Sequence, residues 1–492
     1  MKRRLIAGAA ALVVGMPTVV GMTTSSAAAA PVTGLPTTAF PLGQPGIPKS
    51  AHKSLAPGID YFTVKHGTSK DGYTVSVIAG GKDFMTEATA QTQALAVQDA
   101  GMTPMIVKFT RPAVADFPAA DFWMVRVGSW SLKDKDEAAK VVKELKKAGI
   151  SSKVDYTGDD GFQTSGPWSM RVVTIDPRSF RGSFRSSLGT SVAKRETVSS
   201  MAKAAGAMIA VNGGFFDIHT LKNLRGDPTG LSVVGGKLLS EAVPGRIGLV
   251  LKGRTARITE LSSSVVATTD GGGKAVVAGV NRVAKPDELV MYTEEFGAKT
   301  PKNDGAEAVL DASGKVIAVR SPGAAVTRGT RVLHGVGAAA EWLWEYATEG
   351  TTIQVKTTVT DLRTKRTIPL TPDTSIVAGA IGLVRGGQTA ITAQRDGMAN
   401  VNMILRRHPR TLAGVTASGK LILAVVDGRD PGKTVGASFI EAAQIMRWLG
   451  ARDAINLDGG GSSVMVIGKK VVNRPSDGVE RGVGDSLLVL PR

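Results

Sequence analysis

The chain has 492 residues, 42% of them hydrophobic, a formal charge of +18 and no cysteine. That length accommodates two or three domains with packed cores and excludes a disordered chain. Without cysteine there is no disulfide framework, thiol nucleophile or cysteine-ligated zinc. The five histidines lack the helical spacing of a zinc-protease motif, so no metal site and no other cofactor is expected. Lysines and arginines are dispersed rather than blocked together with aromatics between them, which does not read as a nucleic-acid surface. They suit either a generic solubilising exterior or encounter with an anionic partner such as a phosphodiester-containing wall polymer.

In chain order, Lys2, Arg3 and Arg4 precede the apolar stretch from Leu5 to Met22 and the small residues from Ser26 to Ala30. Residues 1–30 therefore read as a signal peptide, and the mature protein is expected to be secreted to the cell wall without stable membrane insertion. Residues 31–60, rich in Pro, Gly and Ala, read as a linker. Residues 61–160 then carry a repeated pattern. Strand periodicity from Tyr73 to Ile78, helical spacing from Thr86 to Ala100 and a strand from Met105 to Phe109 form the first unit. A strand from Phe122 to Val127, a helix from Asp134 to Ala148 and a strand from Ser152 to Tyr156 form the second. The order βαββαβ is that of a ferredoxin-like sheet. The stretch FWMVRVGSWSLKDKDEAAKVVKELKKAGISSKVDY resembles the SPOR (sporulation-related repeat) domain family. That resemblance implies binding to peptidoglycan glycan strands, with Trp123, Trp130 and Tyr156 as sugar-stacking candidates. Alternation places Trp123, Val125 and Val127 on one face and Met124 and Arg126 on the other, so one set at most meets a ligand. A purely structural module fits the same pattern.

Residues 168–492 read as a larger mixed α/β domain, so the fold class is α/β (α+β) throughout. Its best helices are Val192 to Ala205 and Phe439 to Leu449. A strand from Ala454 to Leu457 delivers Asp458, followed by Gly459, Gly460, Gly461, Ser462 and Ser463. Such a run can form an anion nest of backbone N–H groups with hydroxyl donors beside it, or simply a tight turn. Arg410 and Arg429 are candidate phosphate clamps, because a guanidinium binds phosphate bidentately and keeps its charge. Arg429 follows the strand Leu421 to Val426 with Asp427 and Gly428 between, and an Arg–Asp pair bracing a loop is the alternative for each arginine. Ser438 and Glu441 have capping-box spacing, which accounts for Glu441 without a catalytic role, though a helix N-terminus also favours an anion. Asn212 and Gly213 end a strand from Met208 to Val211. There Asn212 is a candidate to bond a sugar hydroxyl or acetamido group and Gly213 to permit close approach, against a plain β-turn.

The motifs RHPRTLAGV, LILAVVDGR, GASFIEAAQIMRWLGARDAINLDGGGSSVMV and VVNRPSDGVERGVGDSLLVL, with VNGGFFD and PTGLSVVGGKLL upstream, together resemble the phosphodiester glycosidase family over residues 168–492. The resemblance implies hydrolysis of a sugar 1-phosphodiester, with an N-acetylhexosamine as the expected sugar. Phosphate leaves more easily than a sugar alkoxide, so charge stabilisation matters more than a proton donor. One carboxylate is then expected to act at the anomeric carbon as base or nucleophile. Asp458 is the first choice, with Asp427, Glu441 and Asp485 in reserve, while Arg410, Arg429 and the glycine run hold the phosphate. Two rivals stand beside this reading: a non-catalytic envelope glycan-binding protein, and an ordinary O-glycosidase acting on exopolysaccharide.

Overall fold

The computed structural model describes residues 34–492; the expected signal peptide lies outside the described residues. The fold is mixed α/β, dominated by four sheets. An eight-stranded sheet runs in the spatial order Lys49–Ala56, Ile59–His66, Trp168–Ile175, Leu421–Val426, Arg410–Thr416, Ala451–Asn456, Ile381–Arg385 and Gln388–Thr389. A five-stranded sheet contains Ile209–Asn212 between Met465–Ile467 and Ser486–Leu490. One apolar core, including Val173, Leu423, Val425 and Ile455 from the first sheet and Val211, Met465 and Leu487 from the second, joins them. Leu249 and Val377 bring a twelve-stranded sheet against the same core. A second core, with Val233, Leu261, Leu333 and Leu343, lies within residues 231–376.

The hairpin Lys49–Ala56 and Ile59–His66 corrects the linker expectation for residues 31–60. Ile59, Phe62 and Val64 are buried, and the second strand pairs along its whole length with Trp168–Ile175. This alternation is short and follows a Pro- and Gly-rich stretch, so composition concealed it. Accordingly the eight-stranded sheet begins upstream of the βαββαβ segment, and residues 36–492 form one compact unit rather than a module tethered to a domain.

Within residues 73–156 the expected order is present. The strands lie in the order Pro104–Arg111, Ala120–Trp130, Tyr73–Val77 and Ser152–Tyr156, all antiparallel, with helices Glu87–Asp99 and Lys135–Lys147. The three aromatic candidates do not form one platform. Tyr156 is buried, and its hydroxyl accepts from the Gly432 amide at 3.1 Å. Trp123 and Trp130 stand seven residues apart on one strand, roughly 23 Å at the usual rise. Both helices lie against the strands, and the face carrying Met124 and Arg126 meets the rest of the chain. Leu405 packs against Phe84, Phe109 and Met124, and Arg126 pairs with Asp160 at 2.5 Å.

Beside that apolar contact, buried Arg406 reaches Asp83 at 2.5 Å and Asp155 at 2.7 Å. Burial and the neighbouring Asp155 push Asp159 up to about 7. Arg406→Ala would remove the buried cation shared by Asp83 and Asp155 and leave them only the partly exposed Lys153, 2.7 and 3.7 Å away. It is expected to cost ~3–5 kcal/mol in urea unfolding; a loss below ~1 kcal/mol would mean that the acids are already solvated or protonated.

The helix expected from Val192 starts only at Val198. Thr197 caps it, accepting from the Ser200 amide. Residues 192–197 instead form loop and turn, because Val192 and Ala193 bond Glu295 and Phe296 through their amides. Helix Phe439–Trp448 follows the expected stripe, burying Phe439, Ala443 and Met446.

Candidate active site

Antiparallel pairing gathers the chemistry at one end of the interior strands of the eight-stranded sheet. Arg410 opens its strand directly opposite Val426, so it faces the exit that carries Asp427 and Arg429. On its other side Leu412 pairs with Asn456, two residues before Asp458. The five-stranded sheet adds a second pair of ends: Asn212 pairs with Ser486, placing Gly213 beside Asp485. The Asp458 amide donates to the Gly213 carbonyl at 2.9 Å, and the Gly213 amide donates to the Asp485 carbonyl at 2.9 Å. A Cβ on Gly213 would lie 2.4 Å from the Asp485 carboxylate, so glycine is required for this close approach.

Asp458 and Asp485 form an electrostatically linked pair. Burial pushes Asp458 up to about 6, against the Gly459 amide that bonds its Oδ1 at 2.8 Å. Burial also pushes Asp485 up to about 7, with the Asp458 charge adding to the rise. Asp458 remains partly open to solvent, whereas Asp485 is fully enclosed. The pair therefore retains a proton near neutral pH, and only Asp458 can meet a substrate.

Two guanidinium groups reach the same loop. Arg410 is 1% exposed, its Nε donates to the Ala437 carbonyl at 2.8 Å, and it stacks on Phe439 at 4.0 Å. Burial pulls it down to about 9, with the Arg429 charge assisting. Arg429 is exposed, adopts a left-handed φ of 57°, and donates from Nη2 to His408 Nδ1 at 3.3 Å. Its guanidinium lies over Gly460, where a Cβ would come within 3.2 Å of Nη1 and Nη2. Neither arginine has a carboxylate ion pair among the described residues. His408 is held neutral: burial, then the Arg410 and Arg429 charges, drive it down to about 3.

Several expectations are corrected by this geometry. The glycine run does not form an open nest. The amides of Gly459, Gly460, Ser462 and Ser463 bond Asp458 Oδ1, the Pro409 carbonyl, the Gly459 carbonyl and the Gly460 carbonyl respectively. Gly461, Ser462 and Ser463 are also buried. What the run supplies is absence of bulk beneath Arg429. Glu441 is not at the reaction centre, because its carboxylate receives Arg407 Nε and Nη2 at 2.7–2.9 Å and closes the capping box with Ser438. Asp427 is buried and turned to another cleft, accepting from the Arg474 amide at 3.0 Å and Asn473 Nδ2 at 3.2 Å. Asn212 has no group left for a sugar. Its Oδ1 accepts from Thr411 Oγ1 at 2.6 Å and the Val464 amide at 3.1 Å, while Nδ2 donates to the Asp458 carbonyl at 2.8 Å. Asn212→Ala is expected to cost ~2–3 kcal/mol in chemical denaturation, since it leaves buried partners unpaired. A neutral change would mean that water replaces the amide.

Two contributors escaped sequence reading. His408 lies inside the motif RHPRTLAGV, where no spacing marks it. Arg481, held by Asp477 at 2.6 Å, leans on Gly461 and lowers the Asp458 pKa from a loop with no periodic signal.

Residues 304–490 match the family model for phosphodiester glycosidases. The matched span, less than half of the chain, is similar to the phosphodiester glycosidases. That span contains Arg410, Arg429, Asp458 and Asp485, while Asn212 and Gly213 lie outside it in sequence. The SPbeta prophage-derived uncharacterized protein YomE of Bacillus subtilis (strain 168) is 36% identical over 98 residues, 20% of this chain and 15% of that protein. The N-acetylglucosamine-1-phosphodiester alpha-N-acetylglucosaminidase of Mus musculus is 31% identical over 120 residues, 22% of each. The chain thus spans less than a quarter of either curated relative. Over nearly the full length, the crystal structure of a Burkholderia pseudomallei K96243 protein inferred to be exported is similar at TM-score 0.81 and 30% identity. That match covers 93% of this chain and 99% of the other. The two chains belong to one family.

Proposed function

We propose that this protein hydrolyses a sugar 1-phosphodiester, an N-acetylhexosamine 1-phosphate linkage being the first candidate. The observation that carries the reading is the pair Arg410 and Arg429. Exposed Arg429 lies over the glycine loop without a carboxylate partner, and buried Arg410, whose Nε and Nη2 are taken by the Ala437 and Met403 carbonyls, adds its charge from beneath, so the loop is a site short of one anion. A phosphodiester supplies that anion, and its departing phosphate carries charge where the two arginines stand. Asp458 acts at the anomeric carbon, either activating water or attacking directly, while enclosed Asp485 keeps the shared proton and tunes its partner. The first test is release of reducing sugar and phosphomonoester from an N-acetylglucosamine 1-phosphodiester by the full chain. No release from folded protein across several sugars would overturn the reading. Following the anomer first formed by NMR separates attack by water from attack by the carboxylate.

The Asp458–Asp485 pair also favours a second reading, since ordinary O-glycosidases use two carboxyl groups. The arginines discriminate: a phosphodiesterase loses its activity with Arg429, whereas an O-glycosidase acting on a neutral polysaccharide keeps most of it.

Export to the cell envelope belongs to the same proposal, supported by the basic, apolar and small-residue order of the first thirty residues. A mature mass lacking about thirty residues in the wall fraction is the expected result. For the βαββαβ module, the sheet face that meets the rest of the chain supports a brace for the segment leading into Arg410 over a glycan platform. Retention of the full chain on purified sacculi, lost on substituting Trp130, would restore peptidoglycan as its partner.

A further inference from the structure

A separate cleft of about 740 Å³ opens on the hairpin side of the eight-stranded sheet. It is lined by Lys49, Lys65, Arg171, Lys433 and Arg474, against only two carboxylates, Asp427 and Asp430. Both carboxylates are engaged. Asp430 pairs with Arg474 and stands 3.9 Å from Lys433, while Asp427 is enclosed and bonded by Asn473, Ser169 and the Arg474 amide. Lys49 and Lys65 have no acidic partner among the described residues, yet they sit directly opposite each other across the hairpin. Like charges in directly opposed strand positions repel and weaken the pairing. Their next cross-strand neighbour is Ser169, whose hydroxyl receives Arg171 Nη1 at 3.2 Å, so the row leads from the two lysines to the cleft floor.

The cleft and the candidate active site share one loop. Residues 427–434 turn Asp427, Asp430 and Lys433 to the cleft, while Arg429 of the same loop lies over Gly460. An anionic chain whose first phosphate is held by Arg429, with the charge of Arg410 beneath it, therefore has a second cationic surface on the other side of a single loop.

We propose that this cleft binds the phosphate-bearing continuation of the substrate, making the preferred substrate a polyol-phosphate oligomer rather than an isolated sugar phosphodiester. The proposal rests on the phosphodiester reading, but binding tests it independently of turnover. Isothermal titration of the full chain with a glycerol phosphate oligomer lacking any sugar is expected to show salt-sensitive binding. In Lys49→Ala/Lys65→Ala, whose side chains are exposed, Kd should rise about tenfold. The ratio of kcat/KM for a long-aglycone over a methyl-aglycone phosphodiester should fall by a similar factor. Absence of oligomer binding, equal binding by the double variant, or equally strong binding of single-stranded DNA of matched charge would each overturn the assignment. Oligomer binding that depends on the lysines, without hydrolysis of any sugar phosphodiester, would uphold the cleft and overturn only the catalytic reading.

Discussion

Asp458→Asn is expected to lower kcat by about a thousandfold while leaving the protein folded and, above pH 6, more stable than the parent. The first effect follows from position. Asp458 is the partly exposed member of the carboxyl pair, at the strand end where Arg410, Arg429 and Gly213 meet. The second follows from burial, which raises Asp458 from 3.8 to about 6 in the folded protein. A carboxyl whose folded pKa is raised favours folding fully below its unfolded pKa and loses that contribution as pH climbs through the folded value. At pH 7 the ionised Asp458 therefore costs on the order of 2–3 kcal/mol relative to its neutral form, and Asn removes that cost. The Asn side-chain carbonyl can still accept from the Gly459 amide. Thermal melts of both proteins at pH 4.5 and 7.5 check the sign: the variant's advantage should be small at the lower pH and full at the higher. A variant less stable at pH 7.5 would show that the carboxylate is held by a cation after all. The same pair predicts an ascending limb of kcat between pH 6 and 7, moving to lower pH in Asp485→Asn because the charge and proton of its neighbour are gone.

Arg429→Gly should separate activity from stability in the opposite direction to most surface substitutions. Arg429 occupies the left-handed region at φ 57°, which costs a side-chain-bearing residue ~1 kcal/mol or more that glycine does not incur. Its side chain is exposed and makes one hydrogen bond, to His408, so little packing is lost. The variant is expected to melt at the parent's temperature or slightly above it. Yet kcat/KM on a sugar phosphodiester should fall between a hundredfold and a thousandfold, the usual loss when one positioned charge donor at a developing anion is removed. Protection against melting by millimolar inorganic phosphate should weaken in parallel. Retained activity would remove Arg429 from the phosphate site and favour the O-glycosidase reading; a strongly lowered melting temperature would show that the arginine holds the loop.

Much of the local structure was legible from the chain. The strand Leu421–Val426, the helix beginning at Phe439 and the capping box at Ser438 appear where apolar period and capping chemistry put them. The βαββαβ order was equally plain, because each turn between elements carries its own Gly or polar signal. Short-range rules failed where a partner distant in sequence decided the outcome. Ile59–His66 is a strand because Trp168–Ile175 pairs with it, and Val192 to Thr197 is not helical because Glu295 and Phe296 accept its amides.

For the site, sequence by itself determined the inventory: an aspartate at a strand end, arginines near two others, a glycine run and no thiol or clustered histidine. Those identities follow from residue type and spacing, which fix what each group can donate, accept or carry as charge. The tertiary structure decided their roles, because burial and neighbours set which groups remain available. Asn212, Glu441, Asp427 and the amides of Gly459, Gly460, Ser462 and Ser463 are consumed by internal partners that lie up to about 250 residues away. Arg410 and Arg429 are left without a carboxylate, and Asp485 is moved from reserve to the partner of Asp458 by Gly213. Spacing along a chain cannot express such competition, since hydrogen bonds and desolvation are settled between surfaces that meet only when the sheets pack.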